Sequence, residues 1–181
     1  MDRELVERAR SGDHDAFEVL ATSIVDHLYG VARLVLRDAD RAEDAAQEAL
    51  VRCWRDLPSL REVERFDAWL GRLLMHAIND EFRRGSRVRA TITILAREPS
   101  TPDAEAATAD RELLERGFAR LSIEHRSVVV LRLHLGLSIE ETASTLGIPV
   151  GTAKSRLHYA TEALRRTLEA DAIPRSREVS A

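Results

Sequence analysis

The sequence predicts an all-α protein of two small helical domains joined by a flexible linker, the second domain containing a helix-turn-helix. Three observations predict it. Apolar residues recur at three- and four-residue spacing through most of the chain, the signature of helices with one buried face. The only β-prone piece is the short run Thr91–Leu95, "TITIL". Between the two helical parts lies "REPSTPDAEAATAD", Arg97–Asp110, with two prolines, small residues and no apolar period, which reads as a linker. The expected boundaries are 1–84, a linker over 85–110, 111–172, and a tail over 173–181.

The elements justify themselves in order. Asp13 caps a helix that carries Ala16, Phe17, Leu20, Ile24 and Leu28 and runs to about Leu36. Asp40 and Glu43 stand at cap and third position of the next. Its inward series is Ala42, Ala45, Ala46, Ala49, Leu50, Cys53 and Trp54. On that face Cys53 reads as a small core residue rather than a reactive thiol. Asp44, Gln47 and Glu48 stand off the stripe as an acidic, hydrogen-bonding surface; by themselves they also fit a solvated helix face. Pro58 ends the segment, and a loop runs to Arg65. A third helix turns Phe66, Trp69, Leu70, Leu73, Leu74, Ala77, Ile78 and Phe82 inward. Its opposite face reads Arg72, His76, Asn79 and Arg83, continuing into a stretch from Phe82 to Arg97 with five arginines and no acid.

The most informative text is "SIEETASTLGIPVGTAKSRLHYATEALRR", Ser138–Arg166. Ser138 and Glu141 form a capping box at the start of a short helix with Ile139, Thr142, Ala143 and Leu146 on one face. Gly147 permits a tight turn, and Pro149 suits the first turn of the following helix. There Ala153, Leu157, Ala160, Leu164 and Leu168 make the inward stripe. Thr152 lies at the start of that helix; Gly151, Ser155, His158 and Tyr159 point away from the stripe, with Lys154 and Arg156 on the flanks. Small polar and basic groups at the start of the second helix match a helix that enters the major groove by its N-terminal end. Glu162 would repel phosphate, so contact is confined to residues before it. A plain helical hairpin is the alternative reading of the same pattern.

Composition narrows the function classes. The chain has 181 residues, 44% of them hydrophobic, enough to fill real cores. No apolar run approaches membrane-spanning length, so no membrane insertion is expected and the location expected is cytoplasmic. A single cysteine excludes a disulfide framework, and His14, His27, His125 and His134 show no ligand spacing, so neither metal nor cofactor is expected. No acid–base or nucleophile constellation stands out, which argues against an enzyme. Arginine outnumbers lysine 26 to 1, which suggests a GC-rich genome. The net charge of −4 is unevenly placed: residues 1–84 hold 13 arginines against 18 acids, whereas residues 111–181 hold 11 cations against nine. Such asymmetry suits a protein that meets both DNA and a basic protein partner.

The order of these pieces resembles the extracytoplasmic-function branch of bacterial sigma-70 family sigma factors along almost the whole chain. The matching residues are "SGDHDAF" (Ser11–Phe17), "RAEDAAQEALVRCW" (Arg41–Trp54), "FDAWL" (Phe66–Leu70) with "DEFRR" (Asp80–Arg84), and "LSIEETASTLGIPVGTAKSRL" (Leu137–Leu157). The resemblance implies a stress-response subunit that recruits core RNA polymerase to promoter DNA. Asp44, Gln47 and Glu48 would meet a basic coiled coil of the polymerase. Arg61, Arg72, His76, Asn79, Arg83, Arg84 and Arg87 would hold the −10 element, with the loop Pro58–Arg65 receiving an unstacked base. Thr152, Lys154, Ser155, Arg156, His158 and Tyr159 would read the −35 element. The linker would thread toward the polymerase cleft. The resemblance also implies an anti-sigma factor as a further partner. Two departures stand out: "LLMH" puts His76 where the family usually has asparagine, and Tyr159 cannot make arginine's bidentate guanine contact. The competing class is a one-component helix-turn-helix regulator whose first domain senses a ligand or dimerises, but such a domain has no reason to repeat the sigma order. An anti-sigma or adaptor protein would need no DNA-reading helix.

Overall fold

The computed structural model describes the backbone of residues 2–91 and 109–172, and the side chains of residues 2–84 and 113–170. Among the described residues there is no strand. The chain divides into two units, Met1–Ser100 and Thr101–Ala181.

The first unit holds α1 (Arg3–Arg10), α2 (His14–Leu36), α3 (Ala39–Asp56) and α4 (Phe66–Thr91), with 3-10 turns at Leu57–Ser59 and Val63–Arg65 between the last two. Asp2 and Asp13 cap α1 and α2 by accepting from the backbone N–H groups of Glu4 and Ala16. Arg37, left-handed at φ 56°, ends α2, and Asp38 caps α3 by accepting from the N–H of Arg41. The cap is thus Asp38 rather than Asp40. Asp38 has the extended backbone a cap needs, which leaves Asp40 in the first turn, where a negative charge meets the positive end of the helix.

The core is formed where α2, α3 and α4 meet. Ala42, Ala45, Ala46 and Ala49 are all essentially buried, and these small side chains let α3 approach its neighbours closely. Leu20, Ile24 and Leu28 of α2 and Phe66, Leu74, Met75 and Ile78 of α4 fill the space around them. Full burial of each such large side chain stabilises by roughly 1.5–3 kcal/mol. Met75 was not expected inside. Trp54 was expected inside but is 42% exposed. By length and mean hydropathy α2 would suffice to cross a membrane, which the sequence reading overlooked. Its buried residues, among them Leu20, Ile24, Leu28, Val31 and Val35, line instead the face that packs against α1, α3 and α4.

Cys53 is completely buried, and burial, helped by Asp56, pushes its thiol pKa up to about 12. A thiol held protonated and out of reach does not attack alkylating reagents. Labelling by iodoacetamide at pH 8 should therefore be negligible in the native protein and rise in step with loss of helical circular dichroism in urea. Rapid labelling of folded protein would show that this part of the core opens.

α4 continues to Thr91, so residues 85–91, expected in the linker, are helical. One glycine and no proline follow Arg84 there, and a lone glycine costs a helix only about 1 kcal/mol. The remainder of "TITIL", the linker from residue 92 to 108 and the tail 173–181 lie outside the described residues.

The second unit holds α5 (Ala109–Ala119), α6 (Ile123–Val129), a π turn at Val130–His134, α7 (Ile139–Leu146) and α8 (Val150–Ala172). α8 is the hub, packing against α5, α6 and α7. The Ser138–Glu141 capping box is fully formed, at 3.1 and 2.9 Å, and is worth about 1 kcal/mol. Gly147 takes the left-handed conformation at φ 63° that ends α7. Ala153 and Ala160 are buried as expected, and Leu157 and Leu164 are half-buried. The stripe ends at Thr167 rather than Leu168, which is 44% exposed. Seven residues make almost two whole turns, so Ala153, Ala160 and Thr167 stay in line. The Thr167 hydroxyl satisfies itself by donating to the Ala163 carbonyl.

Candidate nucleic-acid interface

α7, the turn and α8 form a helix-turn-helix that leaves the N-terminal face of α8 open. Lys154, Ser155, His158 and Tyr159 are exposed, Tyr159 at 66%. The rings of His158 and Tyr159 lie 5.6 Å apart and tilted by 58°, giving a partly apolar surface with hydrogen-bonding ends. Thr152 and Arg156 are half-buried. Ser155 donates to the Thr152 carbonyl at 3.0 Å, which leaves its oxygen able to accept. Arg156 is close enough to α6 to act on Glu124, whose carboxyl is held below its ordinary range, first by Ser122 and more weakly by the Arg156 charge. Arg156 therefore answers to its own protein as well as to solvent. Glu162 pairs with Arg165 at 3.2 Å, so its repulsion of phosphate is partly cancelled.

In the first unit α4 carries the second open face. His76 and Arg83 are exposed, Arg72 and Asn79 half-buried, all on one side of the helix. Arg84 is exposed but pairs with Glu81. Arg87 lies on α4 with its side chain outside the described residues. Arg61 is exposed in the loop between the 3-10 turns.

The third surface is the outer side of α3. Asp44 and Gln47 are exposed, and Gln47 donates to Glu43 at 3.2 Å. Glu48 is half-buried because Arg52 claims it. The Arg52 guanidinium, 18% exposed, donates to Glu48 and to Asp80 of α4, both at 2.8 Å. Those bonds, the one to Asp80 foremost, raise its pKa against the cost of burial. Arg41 adds a second tie by donating to the Glu81 carbonyl at 2.5 Å. Sequence reasoning missed both ties. It also missed that Val51, 59% exposed, continues the acidic face into an apolar one beside Trp54, which contacts the rings of Phe17 and His14 at 4.6 and 4.9 Å.

Family models match both units: Sigma-70 region 2 over residues 20–88 and Sigma-70 region 4 over residues 117–166. The ECF RNA polymerase sigma factor SigL of Mycobacterium tuberculosis is 39% identical over 168 residues, covering 88% of this chain and 94% of SigL. The chain belongs to the ECF branch of the sigma-70 family. The RNA polymerase sigma-H factor of Pseudomonas aeruginosa is 30% identical, over 93% of this chain and 94% of its own. Among solved structures, the sigma factor RpoE of Bartonella quintana, in complex with the anti-sigma factor NepR, aligns with a TM-score of 0.69 and 25% identity, covering 86% of this chain and 98% of RpoE. The sigma factor thus directs promoter-specific transcription initiation, a regulatory role. The helix-turn-helix lies inside the region 4 match and the polar face of α4 inside the region 2 match.

Proposed function

We propose that the three open surfaces divide the work of initiation between them. Asp44, Gln47 and Glu48, with Val51 and Trp54 beside them, bind core RNA polymerase. Arg72, His76, Asn79, Arg83, Arg84 and Arg87 hold the −10 element, and Arg61 belongs to a loop that takes an unstacked base. Thr152, Lys154, Ser155, Arg156, His158 and Tyr159 dock on the −35 element, which agrees with the exposure of their face. Residues 1–84 and 111–172 act as the two functional domains, and 85–110 joins them within the polymerase. The chain works in the cytoplasm, and an anti-sigma factor holds it inactive, as NepR is bound to RpoE.

The observation that carries this reading is the pair of polar faces, on α4 and on the start of α8, in separate units. Each offers few cations to phosphate, so each alone binds DNA weakly and is released as salt approaches physiological strength. Polymerase supplies the missing affinity by holding both at once, which is effective concentration rather than new contact. Mixed with core polymerase, the chain should start transcripts from a promoter library randomised in both elements, and selected promoters should share a −10 and a −35 sequence. Without polymerase the full chain should shift the same promoters only at low salt. Tight, specific binding by the free chain at physiological salt would favour a one-component regulator instead.

A further inference from the structure

The carbonyls of Leu60 and Arg61 lie between two 3-10 turns whose own bonds run past them. Those bonds go from the Leu60 N–H to the Leu57 carbonyl and from the Arg65 N–H to the Glu62 carbonyl, each 3.0 Å. The two carbonyls instead meet Arg10 of α1. Its Nη1 donates to Leu60 at 3.0 Å and reaches Arg61 at 3.5 Å. Nη2 of the same group donates to Glu7, one turn back on α1, so the guanidinium is held from both sides. The Arg10 side chain is 27% exposed, and its bond to Leu60 is part-buried. α1 is itself fixed, with Val6 and Ala9 buried at 1% and 4% exposure. A second tie, Arg3 to Glu64 at 3.6 Å, is largely exposed and adds little.

We propose that Arg10 is a positioning residue for −10 recognition, acting through the Pro58–Arg65 loop. This rests on the reading that the loop receives an unstacked base. Unstacking is costly, so the loop must be shaped in advance for its contacts to repay it. The loop has few internal anchors: Leu57, Leu60 and Phe66 are buried, while Pro58, Ser59, Arg61 and Glu62 are exposed. Between those anchors the direction of the peptide planes at Leu60 and Arg61 is set from outside, by Nη1 of an Arg10 guanidinium whose plane is fixed through Nη2 by Glu7. Arginine suits this because its donors sit in a rigid plane, whereas lysine offers a single mobile ammonium. Without Arg10 the segment from Leu60 to Glu62 takes several orientations, and the pocket discriminates less. The outer face of α3 and the start of α8 are untouched.

The test is holoenzyme assembled from full-length protein and core RNA polymerase, transcribing a promoter library randomised through the −10 and −35 elements. Arg10→Met keeps the apolar stem and removes the donors. It should lower discrimination at one or two −10 positions about tenfold, as loss of charge-assisted hydrogen bonds does, with −35 selection and core affinity unchanged. Arg10→Lys should recover part of that loss. A merely structural role would lower all transcription evenly and leave the selected sequence alone, which overturns the proposal. If Arg10→Met keeps wild-type −10 selection while Arg61→Ala changes it, Arg10 is excluded and the loop reading stands. If neither variant changes it, both fall. Should Arg10→Met fail to fold, the same selection is read on Arg10→Lys, where wild-type −10 discrimination overturns the proposal.

Discussion

Asp44→Arg combined with Gln47→Arg abolishes co-purification with core RNA polymerase, while the free protein keeps its helicity and melting temperature. Both side chains are exposed on α3 and contribute nothing to the core, so the fold does not depend on them. Arginine propagates helices well, and the guanidinium that replaces the Gln47 amide would gain Glu43 as a partner one turn back. At an interface with a basic surface the same changes set cation against cation. Like-charge contact there costs roughly 3 kcal/mol or more, over a hundredfold in affinity. Glu48→Arg is a poorer probe. It would place a second cation against Arg52 and break the link to Asp80 that joins α3 to α4. That variant should lose core binding and thermal stability together, and the comparison separates the two roles. Normal co-purification of folded Asp44→Arg/Gln47→Arg would remove the outer face of α3 from the polymerase contact.

The helices were legible because their signals are local. The Asp13 cap, the capping box at Ser138 and the alanine series on α3 depend on residues a turn apart, and all three occur as read. That α4 runs on past Arg84 to Thr91 was missed for the complementary reason: a change in composition is not a helix stop, and nothing there breaks a helix. Trp54 shows a second limit. Helical periodicity put it in the inward series, next to Cys53. Whether such a residue is covered depends on the neighbouring helix, and here the rings of His14 and Phe17 on α2 meet Trp54 yet leave it 42% exposed. Ties between distant residues left no trace in spacing. Arg10 meets a loop fifty residues on, and Arg52 meets Asp80. At the candidate sites, exposure of His76, Arg83, His158 and Tyr159 followed from the faces they were assigned. The half-burial of Arg156 did not, since it depends on where α6 lies.

His158→Ala and Tyr159→Ala change which −35 sequence is selected, whereas Lys154→Ala lowers transcription from all promoters alike. Lys154 is a point charge on the flank of α8, suited to phosphate, and phosphate carries no sequence. His158 and Tyr159 project from the third turn with their rings 5.6 Å apart, within reach of base edges once the start of α8 enters the major groove. Each good base contact is worth about 1–3 kcal/mol of discrimination, so selection at one or two positions should weaken roughly tenfold or more. Arg156→Ala belongs to neither class. It removes a phosphate contact and also a charge acting on Glu124, so transcription should fall evenly with a small loss of stability. Tyr159→Arg offers the gain-of-function arm, because arginine makes the bidentate guanine contact that tyrosine cannot, and should draw guanine into one −35 position. The measurement is a library randomised only in the −35 element, transcribed by each holoenzyme and sequenced. If His158→Ala and Tyr159→Ala return the wild-type sequence, and Tyr159→Arg selects no new guanine, the outer face of α8 does not read DNA and the docking assigned to it is wrong.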